Sequence, residues 1–299
     1  MGRLLIIGGL VILGFVAYQL WGTGLEEARQ QDQLLEDYAQ ELGLDSEVEL
    51  AEVDLGELPA DAPEGVPPTP VPGEAAAIIE VPKIGLSRVV VEGTSRAELK
   101  KGPGHYIGTP FPGQPGNVGI AGHRTTYGAP FNRIDELQAG DEVILSSSQG
   151  RFTYKVIPAP TQPTQAWYAV SPSQVEVLDD FGDDRVTLTA CHPKYSAKQR
   201  IIVHAVLEQP PVEPSPPVEE PEVVAASVAE DFDEGLGTTP EELPVALGFG
   251  GVAALLALGA WLLARQFSRG WPVWLAASPF IALLIWNGYV HMDRYLPAI

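Results

Sequence analysis

Cysteine is almost absent from this chain, because Cys191 is the only one in 299 residues. A single cysteine cannot form an internal disulfide, so its thiol is either a small buried apolar group or a reactive one. A thiol redox protein is the least favoured alternative, since no second cysteine is present to resolve a disulfide. The position of Cys191 leaves the buried and the reactive alternatives open.

Basic residues are also scarce: 18 lysines and arginines stand against 39 acids, for a net charge of −21. Residues 23–80 carry 16 acids and one arginine, and residues 208–242 carry 11 acids and no base. The segment 81–207 between them carries 13 bases and 11 acids. We therefore expect a nearly neutral module between acidic, self-repelling spacers, and this distribution argues against nucleic-acid binding.

Three stretches lack charge almost completely, and each is near the length that crosses a bilayer: Leu4–Trp21, about 245–264 and about 271–290. No clear small-residue cleavage site follows the first stretch, which therefore predicts an uncleaved anchor. The other two are separated only by RQFSRG, as in a hairpin of two spanning helices.

The few basic residues beside these stretches predict their orientation. Arg3 precedes the first stretch, and Arg265 and Arg269 lie in the turn of the hairpin. Positive residues favour the cytoplasmic side. We therefore expect a plasma-membrane protein whose residues 22–243 lie outside the cell.

Composition divides the chain into six segments. They are an anchor (1–22), an acidic helix with a Pro-rich linker (23–76), a folded module (77–208), a second acidic Pro-rich linker (209–243), two transmembrane helices (244–291) and a tail (292–299). Within the second segment, apolar residues at helical spacing predict a helix over Leu25–Leu44, with a loosely helical stalk as the alternative.

The module lacks any long amphipathic helix. Short β-branched runs alternate with Gly, Pro and Asn turns over about 130 residues, a pattern typical of an all-β, closed or nearly closed barrel. We expect only short helical pieces, over Phe131–Leu137 and Ala166–Tyr168.

Cys191 ends an alternating run, VTLTAC. Strand side chains alternate, so Val186, Leu188 and Ala190 share one face. Thr187, Thr189 and Cys191 share the other, more polar face. The thiol is thus predicted at a strand end where a substrate could reach it.

A cysteine nucleophile needs a neighbouring base or cation and a donor for the oxyanion. Five histidines are available: His105, His123, His192, His204 and His291. His123 follows the apolar run NVGIAG, so its position mirrors that of Cys191, and geometry favours it. His204 remains a competitor, although a hydrogen-bonded structural role suits it better.

Arg200 begins the run after the Cys191 loop. Its guanidinium fork suits an oxyanion and a thiolate, and a strand-capping surface arginine is an equal alternative at this spacing.

The wording AGHRTTYGAPF, followed by TLTACHPKYSAKQRIIVHA, resembles the sortases, the membrane-anchored cysteine transpeptidases of Gram-positive surfaces. It is most similar to the class E group of high-GC Gram-positive bacteria, and the likeness covers roughly Ile78–Leu207. The resemblance implies a sortase-like closed β-barrel of about eight strands. It also implies Cys191 as the nucleophile, His123 as the acid–base histidine and Arg200 as the oxyanion-binding arginine.

The same resemblance implies the reaction. An LPxTG-like or LAxTG-like sorting signal of a surface protein would be cleaved between Thr and Gly, and a cell-wall precursor or pilin lysine would accept the acyl group. The family chemistry implies no cofactor and no metal. Thr189, Ala190 and Tyr127 are expected to contribute to substrate binding. A hydrolytic cysteine peptidase and a catalytically silent, membrane-tethered binding module remain as alternatives.

The chain departs from the family at one position. The usual TLxTC run has Thr directly before Cys, and Ala190 stands there. By alternation Ala190 faces away from the thiol, so we expect an effect on packing or substrate preference and not on the chemistry.

Overall fold

The computed structural model describes residues 2–41, 70–214, 240–267 and 270–296. These fall into two compact units. One unit contains the first helix and the two C-terminal helices, and the other contains the second helix and all of the strands.

The second unit is built on strands that are short and β-branched, as the sequence predicts. In the part of the chain that the structure describes there are nine: β1 Ala75–Val81, β2 Leu86–Glu92, β3 Gly104–His105, β4 Asn117–Ala121, β5 Glu142–Ser147, β6 Gly150–Val156, β7 Trp167–Val170, β8 Arg185–His192 and β9 Gln199–Leu207.

Eight of these strands close into a barrel. The order is β6-β5-β1-β2-β3-β4-β8-β9, and β9 pairs back onto β6. Strand β9 pairs with three strands. One edge pairs with β8, and two separate parts of the other edge pair with β6 and β7. Residues near Leu207 pair with β6, and residues near Arg200 pair with β7. Strand β7 is therefore a branch on an eight-stranded ring, which confirms the predicted sortase-like barrel.

The barrel core contains the apolar faces of the alternating strands. Strand β8 contributes Val186, Leu188 and Ala190, and β9 contributes Ile201, Val203 and Ala205. The opposite face of β8 carries Thr187, Thr189 and Cys191, which confirms the predicted division of this strand.

Short helices fill the connections, as expected. They are α3 (Arg96–Leu99) and 3₁₀ turns at Pro82–Ile84, Ile134–Glu136 and Val175–Leu178. The predicted helical piece at Ala166–Tyr168 is wrong, because Trp167–Val170 pairs with β9 as strand β7.

Helix α2 (Thr23–Glu41) packs against the barrel. Its Leu34 and Tyr38 join Ile78, Val89 and Val91 in a second apolar cluster outside the barrel core. We expected this helix within a spacer, and the observed packing makes residues 23–41 part of the folded unit. The predicted helix end at Leu44 and most of both Pro-rich linkers lie outside the described residues.

The first unit consists of α1 (Gly2–Ala17), α4 (Glu242–Ala264) and α5 (Trp271–Tyr295). A π-helical turn, Tyr18–Gly22, follows α1. Among the described residues, three helical segments are long and apolar enough to cross a membrane: Ile6–Gln40, Glu242–Ala264 and Trp271–Tyr295. In the first, the acidic residues begin only at Glu26, so its apolar part is the predicted anchor.

Contacts inside this unit join α1 to α5. The Tyr289 hydroxyl donates to the Val11 carbonyl at 2.7 Å, and the Gln19 amide donates to Asp293 at 2.9 Å. The Tyr18 and Trp286 rings meet edge to face, with centroids 4.9 Å apart. The N-terminal anchor is thus one member of a helical bundle.

Candidate active site

Cys191 and Arg200 lie directly opposite each other on neighbouring strands. Strands β8 and β9 are antiparallel, and their register pairs Cys191 with Arg200. Directly opposed residues in such a pair project their side chains from the same face. Arg200 is 6% exposed and Cys191 is half-buried, so the guanidinium lines the side of the sheet from which the thiol can be reached.

His123 reaches the same strand end through a different neighbour. Strands β4 and β8 run parallel, with Ala121 paired to Thr189, and the Gly122 amide extends the ladder to the Thr189 carbonyl at 3.0 Å. Cys191 lies two residues beyond Thr189, and His123 lies two residues beyond Ala121. The β4–β8–β9 sheet thus brings all three predicted residues to one edge.

Competing effects set the acidity of the thiol. Burial raises the pKa of Cys191 above its ordinary value, while the positive charges of Arg200 and Arg124 act to lower it. Desolvation is the larger effect, so the thiol is mostly protonated at neutral pH. The two arginines favour the thiolate once it forms.

Arg124 follows His123 directly, and the spacing of the motifs alone does not predict a role for it. Its side chain is almost fully buried, and its Nη2 lies 2.8 Å from an Asp135 carboxylate oxygen. Its Nε donates to the Asn132 carbonyl at 3.0 Å, and its Nη1 donates to the Cys191 carbonyl at 3.4 Å. Arg124 therefore ties the segment after β4 to the end of β8. The signal in the sequence was a basic residue beside the candidate histidine.

The backbone and side chain of His123 are both held. Its carbonyl accepts from the Phe131 amide at 3.1 Å, and the Tyr127 ring lies against the imidazole with centroids 5.2 Å apart. The Thr126 hydroxyl makes a long contact of 3.5 Å with Nδ1. The imidazole is 5% exposed, so the surrounding residues limit its orientations.

The three predicted substrate-binding residues lie in different environments. Thr189 is on the thiol face, where its hydroxyl pairs with the Tyr106 hydroxyl at 2.9 Å. Tyr127 packs on His123. Ala190 lies in the barrel core, so any effect on substrate would be indirect.

Two other histidines are tied into structural networks. His204 pairs through Nδ1 with Thr187 and through Nε2 with Tyr168, both at 2.8 Å. His105 stands in the Gly- and Pro-rich run KGPGHYIG, which favours a surface turn, and the structure corrects that expectation. His105 is buried beside Glu92 at 2.8 Å. Burial alone would lower the pKa of His105, but the Glu92 carboxylate outweighs that effect and raises it.

The printed ring and ion-pair contacts of the last two histidines are to residues outside the predicted catalytic set. His192 packs its ring against Trp167, with centroids 5.5 Å apart. His291 pairs with Glu242 in the helical unit.

Comparison with known proteins identifies the domain. Residues 79–208 match the family model described as the Sortase domain. Sortase SrtE1 of Streptomyces coelicolor is 32% identical over 221 residues, which cover 68% of this chain and 54% of that protein. Sortase SrtE2 of the same organism is 28% identical over 222 residues, covering 68% of this chain and 79% of that protein.

Solved structures include similar sequences. Sortase E from Streptomyces avermitilis is 35% identical, and the match covers 51% of this chain and 98% of that one with a TM-score of 0.41. The chain spans about half the length of Sortase SrtE1. Residues 79–208 are a Sortase domain, and the curated relatives of the chain include two sortases of the E type.

Proposed function

We propose that this protein is a membrane-anchored cysteine transpeptidase with Cys191 as nucleophile, His123 as acid–base residue and Arg200 as the oxyanion-binding group. The observation that carries the proposal is the strand register. Cys191 pairs with Arg200, and His123 follows the end of β4, whose Ala121 pairs with Thr189. The Sortase domain match supports the same reaction class.

The first half-reaction forms a thioester. The Cys191 thiolate attacks the Thr carbonyl of an LPxTG-like or LAxTG-like sorting signal, and Arg200 donates to the oxyanion that develops. The Thr–Gly bond then breaks, and the His123 imidazolium gives its proton to the departing glycine amine. Because the resting thiol is mostly protonated, the reactive thiolate is a minor form that the two arginines stabilise.

The second half-reaction transfers the acyl group. An amine, from a cell-wall precursor or a pilin lysine, attacks the thioester carbonyl. The new amide bond forms as the Cys191 thiolate leaves, and the neutral His123 imidazole takes up the proton that the amine loses. The substrates are thus surface proteins that carry a C-terminal sorting signal, and the apolar helices hold the enzyme at the membrane with its barrel outside the cell.

A direct test compares variants of the full chain with a fluorogenic LAxTG peptide and an amine acceptor. Cys191→Ala removes the nucleophile and is expected to abolish transfer while the barrel remains folded. His123→Ala is expected to lower the rate by about 10²–10⁴-fold, since that is the usual effect of losing an acid–base group. Undiminished turnover by Cys191→Ala would overturn the proposal.

His204→Ala is the matched control, because it removes a second buried histidine from the same barrel. It is expected to retain substantial activity. A ranking in which His204→Ala is the more damaging change would reject His123 as the acid–base residue.

Product analysis separates the reaction from simple hydrolysis. A transpeptidase joins the acyl group to the added amine, whereas a hydrolytic peptidase releases the free acid whether or not an amine is present. A catalytically silent binding module would form neither product.

A further inference from the structure

Helix α2 buries a polar face against the barrel. Thr23, Glu27 and Gln31 recur every four residues, so they lie one above another on one side of the helix. Each is at most 4% exposed. Buried polar side chains are retained when they are hydrogen-bonded, so the partners of this face show what the helix does.

Two of these residues bind the barrel wall. The Gln31 side chain accepts from the Val89 amide at 2.8 Å and donates to the Val89 carbonyl at 3.0 Å, as an additional strand would. It also donates to the Lys101 carbonyl at 2.8 Å. Glu27 pairs with Arg88 of β2 at 2.8 Å. These contacts fix the helix on β2 and on the segment that follows α3.

The first turn of helix α2, on this same polar face, contacts residues 122–129. We call this segment the His123 loop. The Thr23 hydroxyl oxygen accepts from the Tyr127 amide at 3.1 Å. The Glu27 carboxylate lies so close to Gly128 that a Cβ on that residue would overlap it. One helix turn thus meets two successive residues of the loop that carries the proposed acid–base histidine.

The conformation of the loop requires such support. Tyr127, Gly128 and Ala129 have φ values of 48°, 71° and 47°, so three consecutive residues are left-handed and two of them carry a Cβ. L-residues adopt this region at a cost, and such conformations persist when surrounding contacts fix them. The Thr23 hydrogen bond holds Tyr127 in this conformation, and the Tyr127 ring in turn packs on the His123 imidazole.

We infer that helix α2 is a positioning element of the active site, in which Thr23 and Glu27 hold the His123 loop in its working conformation. The inference rests on the proposed function of His123. It makes residues 23–41 part of the catalytic unit, although the matched family domain begins at residue 79. Thr23 and Glu27 act through Tyr127 and Gly128 and are positioning residues.

The test uses the full chain in detergent and compares Thr23→Val with Thr23→Ser. Valine keeps the shape of threonine without the acceptor, whereas serine keeps the hydroxyl. Glu27→Gln is compared with Glu26→Gln, because Glu26 is exposed on the same helix turn. Two readouts are measured: hydrogen exchange of residues 122–130, and kcat and KM for peptide transfer.

In Thr23→Val we expect exchange of the His123 loop to be about tenfold faster, while β8 and β9 keep their protection. We expect kcat to fall about tenfold at nearly unchanged KM, because small displacements of a catalytic group are costly. Thr23→Ser should restore both values, Glu27→Gln should shift both in the direction of Thr23→Val, and Glu26→Gln should match the wild type.

Unchanged exchange in Thr23→Val would overturn the inference, as would faster exchange with unchanged kcat. If the wild type transfers no peptide, the proposed function fails, and the exchange comparison still decides whether the helix holds the loop.

A second pair of variants covers the case in which Thr23→Val does not fold. Gly128→Ala and Gly140→Ala both place a Cβ at a left-handed residue. The Cβ at position 128 would overlap the Glu27 carboxylate, whereas the Cβ at position 140 would have nothing within 4 Å. Gly128→Ala is expected to loosen the loop and lower kcat. Gly140→Ala is expected to change neither. Unchanged exchange and unchanged kcat in Gly128→Ala would contradict the inference.

Discussion

The charge of Arg200 has a measurable effect on its strand partner. Because the guanidinium acts to lower the pKa of the Cys191 thiol, Arg200→Gln should raise that pKa and move the pH profile of thiol alkylation to higher pH. Iodoacetamide labelling across pH 6–10 measures this directly, since the chain has one cysteine.

Arg200→Lys retains a positive charge and serves as the control. The pH profile of alkylation in Arg200→Lys should lie closer to the wild-type profile than the profile of Arg200→Gln does. Coincident profiles for wild type and Arg200→Gln would contradict the placement of the guanidinium beside the thiol.

Arg124 offers a second test at the residue scale. Its guanidinium contacts Asp135, Asn132 and the Cys191 carbonyl in three directions, which a lysine ammonium cannot reproduce. Arg124→Lys should therefore destabilise the barrel by about 1–3 kcal/mol, the usual loss when buried hydrogen bonds are broken. Denaturant titration of the full chain in detergent, followed by protease resistance of the barrel, gives the value.

Asp135→Asn completes a double-mutant cycle with Arg124→Lys. The two changes should be non-additive, because both alter the same contact between Arg124 and Asp135. Strict additivity would mean that the pair contributes nothing measurable.

At the scale of the elements, the sequence predicted the β8 and β9 strands well and helix α2 only in part. Side chains along a strand point alternately to the two faces of the sheet. This alternation places Ala190 in the core and Cys191 outside it. Register across three strands is a tertiary property. Geometry alone could therefore favour His123 over His204 but could not decide between them.

Helix α2 shows why the remainder was missed. Its helical periodicity was visible at Leu34 and Tyr38, but its N-terminal contact face is Thr23, Glu27 and Gln31. Polar residues in an acidic segment suggest a solvated spacer. These residues are buried because they have partners in β2 and the His123 loop. The hydropathy of the segment carries no information about such tertiary partners.

The network between β7, β8 and β9 predicts a pH-dependent stability. Burial, reinforced by Arg185, lowers the pKa of His204 from 6.5 to about 4, so the folded barrel keeps this histidine neutral. The unfolded chain takes up a proton near pH 6.5. The stabilisation is therefore complete above that pH and is lost as the pH falls toward 4.

The expected loss between pH 7 and pH 5 is about 2 kcal/mol. It can be followed as the midpoint for proteolysis of the barrel on heating the full chain in detergent. His204→Gln should be less stable at pH 7 and should show a flatter dependence over this range. An equally steep dependence in that variant would assign the effect to other groups.

At the scale of the whole molecule, the acidic linkers and the apolar helices differ in composition from the barrel. The chain's negative charge lies mostly outside the nearly neutral module, and the N-terminal anchor packs with the C-terminal hairpin in one helical unit. A barrel that acts on exported proteins, as we propose, must lie outside the membrane. The basic residues Arg3, Arg265 and Arg269 predict that orientation.

The single cysteine makes this orientation testable. In a Cys191→Ala background, one cysteine is introduced at Ser227 in the second acidic linker or at Ser268 in the turn of the hairpin. A membrane-impermeant maleimide should label the Ser227→Cys chain in intact cells. It should label the Ser268→Cys chain only after the membrane is opened, because the positive turn remains on the cytoplasmic side. Labelling of Ser268→Cys in intact cells, with Ser227→Cys protected, would place the barrel on the cytoplasmic side, where it could not reach exported substrates.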